Sequence, residues 1–201
     1  STASRPLPSL VPVAAAVTAN GGAIVLGRPA GETEHLVATR LTPEGDLDAT
    51  FGDAGLSTID LDYGAIVLPL PDGRTVIAGE VQPSSQALMR LAPDGSIDRS
   101  FGRDGLAALP IPSETDADEF YLPTDLAVTQ DGHVLVAVTD HRSISQNPVL
   151  IAFTSTGEID RAFGDGGIVQ YGSLGTGGML SVGRDGTAYW SARGDLLRVE
   201  R

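Results

Sequence analysis

Short runs of alternating apolar and polar residues, each closed by a tight polar turn, recur four times along the chain. They are Ala14–Thr18 before Asn20-Gly21-Gly22, Ala65–Leu70 before Pro71-Asp72-Gly73, Leu126–Thr129 before Gln130-Asp131-Gly132, and Met179–Val182 before Arg184-Asp185-Gly186. Alternation with a period of two predicts half-buried strands, and Asn-Gly or Asp-Gly between such runs predicts a hairpin, because both residues tolerate positive φ. A second strand is expected after each turn, at Ala23–Leu26, Thr75–Ala78, Val134–Val138 and Thr187–Ser191. A third is expected at Leu36–Leu41, Ala87–Leu91, Val149–Phe153 and Leu196–Val199. The fourth falls at Leu56–Leu61, Leu106–Ile111 and Ile168–Tyr171. Helical periodicity is nearly absent, so the pattern describes an all-β chain of four-stranded meanders.

Between the third and fourth strands one phrase is written three times. It runs Leu41 to Phe51, Leu91 to Phe101 and Phe153 to Phe163, each continuing as Phe-Gly-x-x-Gly. A spacing of 50 residues between the first two copies and 62 between the last two is the signature of a tandem array. Arg40-Leu41-Thr42-Pro43-Glu44-Gly45 through Gly55, and Arg90-Leu91-Ala92-Pro93-Asp94-Gly95 through Gly105, resemble the delta-60 repeat family; the third copy departs at Phe153-Thr154-Ser155-Thr156. The resemblance implies a β-propeller and supplies no catalytic residue. Four-stranded sheets repeated at this length are expected to stack radially as blades, each face covered by its neighbour. The units are approximately 12–64, 65–121, 122–172 and 173–201 plus 1–11, in one domain. Four blades are expected, with Arg5–Leu10 supplying the last strand and closing the ring, which removes exposed sheet edges.

Asp48, Asp98 and Asp160 precede each phenylalanine by three residues, where a carboxylate accepts from the following amides as an Asx-type turn. Phe51, Phe101 and Phe163 are expected as plugs between blades. Calcium is the competing use of Asp46, Asp48 and Asp53, but the second copy has Ser96 and Arg103 at two of those positions, too few oxygens for calcium's six or more. No metal is therefore assigned.

Composition narrows the chemistry. The net charge is −13 and all 13 basic residues are arginine, which opposes a nucleic-acid role and removes lysine Schiff-base catalysis. Without cysteine there are neither disulfides nor thiolate ligands. No apolar run reaches the roughly 20 residues of a membrane helix. The chain opens at Ser1 without methionine, which suits a processed or cut-out domain, and export to the periplasm or exterior is expected; the absence of lysine with abundant alanine, glycine, arginine and aspartate points to a bacterial source. The nucleophile elbow, the zinc-protease helix and the phosphate-cradling loop are all missing.

Function is expected where the repeats diverge, on the loops opposite the constant turns. That face gathers Glu32, Glu34, His35, Glu80, Asp116, Asp118, Glu119, Tyr121, Asp140, His141 and Arg142. The expected role is a non-catalytic binding or scaffold propeller offering this acidic face to a protein or glycan, with no cofactor, and with homo-oligomers if the ring does not close on itself. The alternative is a metal-dependent propeller enzyme of lyase or lactonase type. It would use His35 and His141 with a nearby carboxylate. His133 is expected to be a strand residue without chemistry.

Overall fold

The computed structural model describes residues 10–31, 35–61, 65–81, 85–110, 121–140, 148–170, 177–183, 187–192 and 195–199. Fifteen strands and no helix are found among them. The first sheet comprises β1 (Leu10–Val17), β2 (Ala23–Pro29), β3 (Leu36–Leu41) and β4 (Leu56–Ile59). The second comprises β5 (Ile66–Pro69), β6 (Thr75–Val81), β7 (Ser85–Leu91) and β8 (Leu106–Ala108). The third comprises β9 (Tyr121–Val128), β10 (Val134–Asp140), β11 (Pro148–Phe153) and β12 (Ile168–Gln170), and the fourth β13 (Gly177–Val182), β14 (Ala188–Ala192) and β15 (Asp195–Val199). Each sheet is an antiparallel meander in chain order, four-stranded in the first three and three-stranded in the last.

The sheets stack in sequence. The opening strand of each touches the opening strand of the next: β1 meets β5, β5 meets β9, and β9 meets β13. Three apolar layers result. Ile24, Leu26, Leu36 and Ala38 face Val67, Ile77 and Met89 between the first and second sheets. Val76, Ala78 and Leu88 face Leu126, Val136 and Ile151 between the second and third. Ala127, Leu135, Ala137 and Leu150 face Ala188 and Trp190 between the third and fourth. The central sheets are thus covered on both faces, and their strands read as nearly continuous apolar runs, as in Pro148–Phe153.

No described sheet closes the array into a ring. Of the segment expected to complete the last sheet, Arg5–Ser9 lie outside the described residues, and Leu10 instead heads β1, paired with Pro29. β1 also begins before the predicted Ala14. Pro12 and a register shift between Pro12 and Ala14 interrupt the alternation there. Proline is tolerated because β1 pairs on one side only.

The repeated phrase crosses from one sheet to the next. Phe51 and Phe101 are fully buried, and the amide following each donates to the neighbouring phrase: Gly52 N to Asp94 O at 2.6 Å and Gly102 N to Thr156 O at 2.7 Å. The receiving turns need glycine for two reasons. Gly95 and Gly157 have φ of 86° and 84°, and a Cβ on either would lie 3.0 Å from the ring of Phe51 or Phe101. Phe101→Ala should therefore cost about 3–5 kcal/mol in urea unfolding, the range for an aromatic removed from a packed core. A loss below about 1 kcal/mol would mean the junction does not rest on this ring.

Candidate functional site

The charged residues of the phrase form one unit at each junction. Asp48 Oδ1 accepts from the Thr50 amide and hydroxyl, at 3.0 and 2.6 Å, while Asp48 Oδ2 accepts from Arg40 Nε at 2.8 Å. Arg40 lies over the Phe51 ring, 4.9 Å from its centroid, and its Nη1 donates to Pro93 O in the second sheet. The second copy repeats each part. Asp98 takes the Ser100 amide and hydroxyl and Arg90 Nε at 2.7 Å; Arg90 lies 4.5 Å over Phe101 and donates to Ser155 O of the third sheet. Each guanidinium thus joins a carboxylate, an aromatic face and the next sheet's backbone.

The third copy solves the same problem with other residues. Ala152 stands where Arg40 and Arg90 stand, since it pairs with Leu135 as Arg40 does with Ile24 and Arg90 with Val76. His133, from the turn before β10, brings Nδ1 within 2.9 Å of Asp160 Oδ2. The expectation that His133 is a passive strand residue is corrected: it takes the place of the absent arginine. Phe163, 2% exposed, sits in the layer with Ala188 and Trp190. A further tie between the third and fourth sheets comes from Asp125, whose Oδ2 accepts the Leu180 amide at 2.7 Å.

Hydrogen bonds from the Thr50 hydroxyl and amide hold the Asp48 carboxyl below its ordinary value, against burial and helped by Arg40. For Asp98 burial is the largest influence and pushes upward, but Ser100 and Arg90 together outweigh it and the carboxyl is lowered. Arg90 is lowered by burial and by the neighbouring Arg74 guanidinium, against the pull of Asp98. Arg74 chelates Asp72 through Nε at 2.7 Å and Nη2 at 2.5 Å, and lies 3.8 Å from Asp98.

These groups border a cleft of about 400 Å³ at the turn end of the strands. Its walls are Leu70, Val128, Val134 and Val182, and its polar edge is Asp72, Arg74, Arg90 and Thr129. The constant-turn end therefore carries a concavity that sequence reading assigned to scaffold. The signal was present in Arg74, since the matching positions hold Gly22, His133 and Thr187. The arginines around the cleft are engaged with carboxylates, which makes its polar edge self-neutralising.

At the loop end the predicted residues divide. Glu32, Glu34, Asp116, Asp118, Glu119, His141 and Arg142 lie outside the described residues. Asp140 ends β10, paired in register with Tyr121, which begins β9 and packs partly buried against the layer between the second and third sheets. His35 is exposed, with Nδ1 3.9 Å from Asp60. Glu80 is corrected: it is buried in β6 opposite buried Gln86 and belongs to no exposed acidic rim. Alternation along β6 places it on the face of Val76 and Ala78. Among the described residues no three of His, Asp and Glu converge as metal ligands.

A family model described as a domain of unknown function (DUF5122), β-propeller, matches residues 70–101, the span from the second hairpin turn to Phe101. No curated protein matches the chain. Among solved structures 17 chains match. One is an endo-arabinase from Bacteroides thetaiotaomicron, 13% identical, with 93% of this chain and 73% of that one covered at a TM-score of 0.48. The chain is all-β and propeller-like in its stacked antiparallel sheets.

The depressed carboxylates set the acid response. Asp48 and Asp98 titrate below the ordinary 3.8, so their stabilisation is complete above that value and is lost as pH falls through their lowered values. Melting temperature should hold from pH 7 to about 5 and drop below about 4. Asp98→Asn should cost about 1–3 kcal/mol at pH 7 and make the acid-side drop shallower. An unchanged acid profile in that variant would remove Asp98 from the account.

Proposed function

We propose that the chain is a non-catalytic recognition module, a propeller-like scaffold of the delta-60 type that offers its acidic loop end to a protein or glycan. The supporting observation is how the charged residues divide between the two ends of the strands. At the turn end Arg40, Arg74, Arg90 and His133 are paired with Asp48, Asp72, Asp98 and Asp160 in holding turns and sheets together. At the other end the connections 30–35, 82–84 and 141–147 share no phrase, and they follow strands fixed by neighbours on both faces in the second and third sheets. Side chains that differ from unit to unit, borne on sheets packed on both faces, are the arrangement of a binding surface.

The proposed contact residues are Glu32, Glu34, His35, Asp116, Asp118, Glu119, Tyr121, Asp140, His141 and Arg142. A surface so rich in carboxylates on a chain of net charge −13 favours a basic partner, with electrostatics governing association rate and salt response. Export to the periplasm or exterior is the proposed location; no described helix is long and apolar enough to cross a membrane.

Defined glycan and protein panels test the reading. Binding should be lost when residues 111–120 are replaced by a Gly-Ser linker, and should weaken roughly tenfold or more from low to physiological salt. Protein purified without chelator should carry no stoichiometric transition metal. Binding indifferent to the linker would move the site elsewhere, and one tightly held metal per chain would favour a hydrolytic or lyase role through His35 and His141.

A further inference from the structure

The two ends of the stack each leave one sheet face without a neighbouring sheet among the described residues. On the first sheet Ala14 and Ala16 pack toward the second sheet, so the alternating Ala15 and Val17 point the other way, and Val17 is 75% exposed. On the fourth sheet Leu180, Trp190 and Leu197 pack toward the third, so Met179, Tyr189 and Leu196 point away, with Met179 76% and Leu196 71% exposed. These faces therefore carry exposed apolar side chains on ordered strands, Val17 on one and Met179 and Leu196 on the other.

The outward face of the fourth sheet carries the same register as the faces that make the internal junctions. Arg198 pairs with Tyr189 as Arg40 pairs with Ile24 and Arg90 with Val76. In the first two cases the guanidinium donates to a carbonyl of the next sheet's phrase, Pro93 O or Ser155 O. The first sheet presents the matching receptor. Its phrase turn, Pro43-Glu44-Gly45, has the positive φ of its counterparts, 84° at Gly45, yet a Cβ there would meet nothing within 4 Å, whereas Gly95 and Gly157 are pressed against a phenylalanine.

We propose that these faces join head to tail between two copies of this chain, the fourth sheet of one seated on the first sheet of the other. β13 would meet β1 as β1 meets β5, β5 meets β9 and β9 meets β13, continuing an interface the chain already makes three times. Met179 and Leu196 cover Val17 and Ala15, and Arg198 reaches the Pro43 carbonyl beside acidic Glu44. Unlike faces meeting in this way form a heterologous interface, which closes into a ring or extends according to the rotation per copy.

Sedimentation velocity across a concentration series tests this with two single-face variants, Val17→Glu and Met179→Glu. Both positions are strongly exposed, so each variant should keep the wild-type circular dichroism and melt. Wild type should associate reversibly above its 20.7 kDa chain mass, and each variant alone should weaken association at least about tenfold. An equimolar mixture of the two should recover a dimer, since one supplies an intact fourth sheet and the other an intact first sheet. A monomeric wild type, association insensitive to either variant, or a mixture that recovers nothing would each overturn the proposal; association lost in one variant and kept in the other would mean like faces pair. This outcome is independent of whether the loop end binds a ligand.

Discussion

At the first two junctions a hydrogen bond between sheets, from the amide behind a buried phenylalanine to a carbonyl in the next phrase, fixes how one sheet sits on the next. It occurs at Gly52 to Asp94 and at Gly102 to Thr156. A meander that is apolar on both faces, as the second and third sheets are, leaves that surface wet unless a neighbouring sheet covers it. The apolar layers supply most of the attraction but carry little direction. The phrase supplies the direction: the phenylalanine fills the gap, the glycine lets the backbone approach, and the arginine joins carboxylate, ring and neighbouring carbonyl. A junction built this way can be repeated without further specification, which is why a short phrase organises the whole chain.

The third unit shows which parts of that device can be exchanged. Losing the arginine to Ala152 leaves Asp160 buried, and a buried carboxylate without a donor is costly. His133 meets it from a different strand turn, 27 residues away in sequence. Asp125 and the Leu180 amide add a tie between the third and fourth sheets that the earlier junctions do not use. The carboxylate is the constant element and its cationic partner is not, because an acceptor can be satisfied by any donor that the fold brings within reach.

The charged residues of the phrase are structural first. Groups that look chemically active when read along the chain, the arginines and aspartates of the phrase, are committed to one another in space. The cleft beside them is concave yet edged by neutralised pairs. At the other end of the strands the connections 30–35, 82–84 and 141–147 differ in length and share no phrase. Glu80 is the instructive exception: its position before a divergent loop suggested an exposed acid, but alternation along β6 turns it into the layer.

Strand positions, the hairpins and the fourfold recurrence were legible in the sequence, because period-two alternation and positive-φ turns are local properties. The second strands and the phrase turns fall where Asp72-Gly73, Asp131-Gly132 and the three phrase glycines put them. The first strand was read short because Pro12 and the neighbouring register shift break the alternation that reveals a strand. What only the tertiary structure decided is who meets whom. Arg40 donates to a carbonyl 53 residues on, His133 replaces an arginine it never neighbours in the chain, and Val17 and Met179 are left outside the layers while their strand neighbours are inside. Sequence periodicity tells which residues share a face, but the partner of that face is set by packing between distant segments, and no local pattern encodes it.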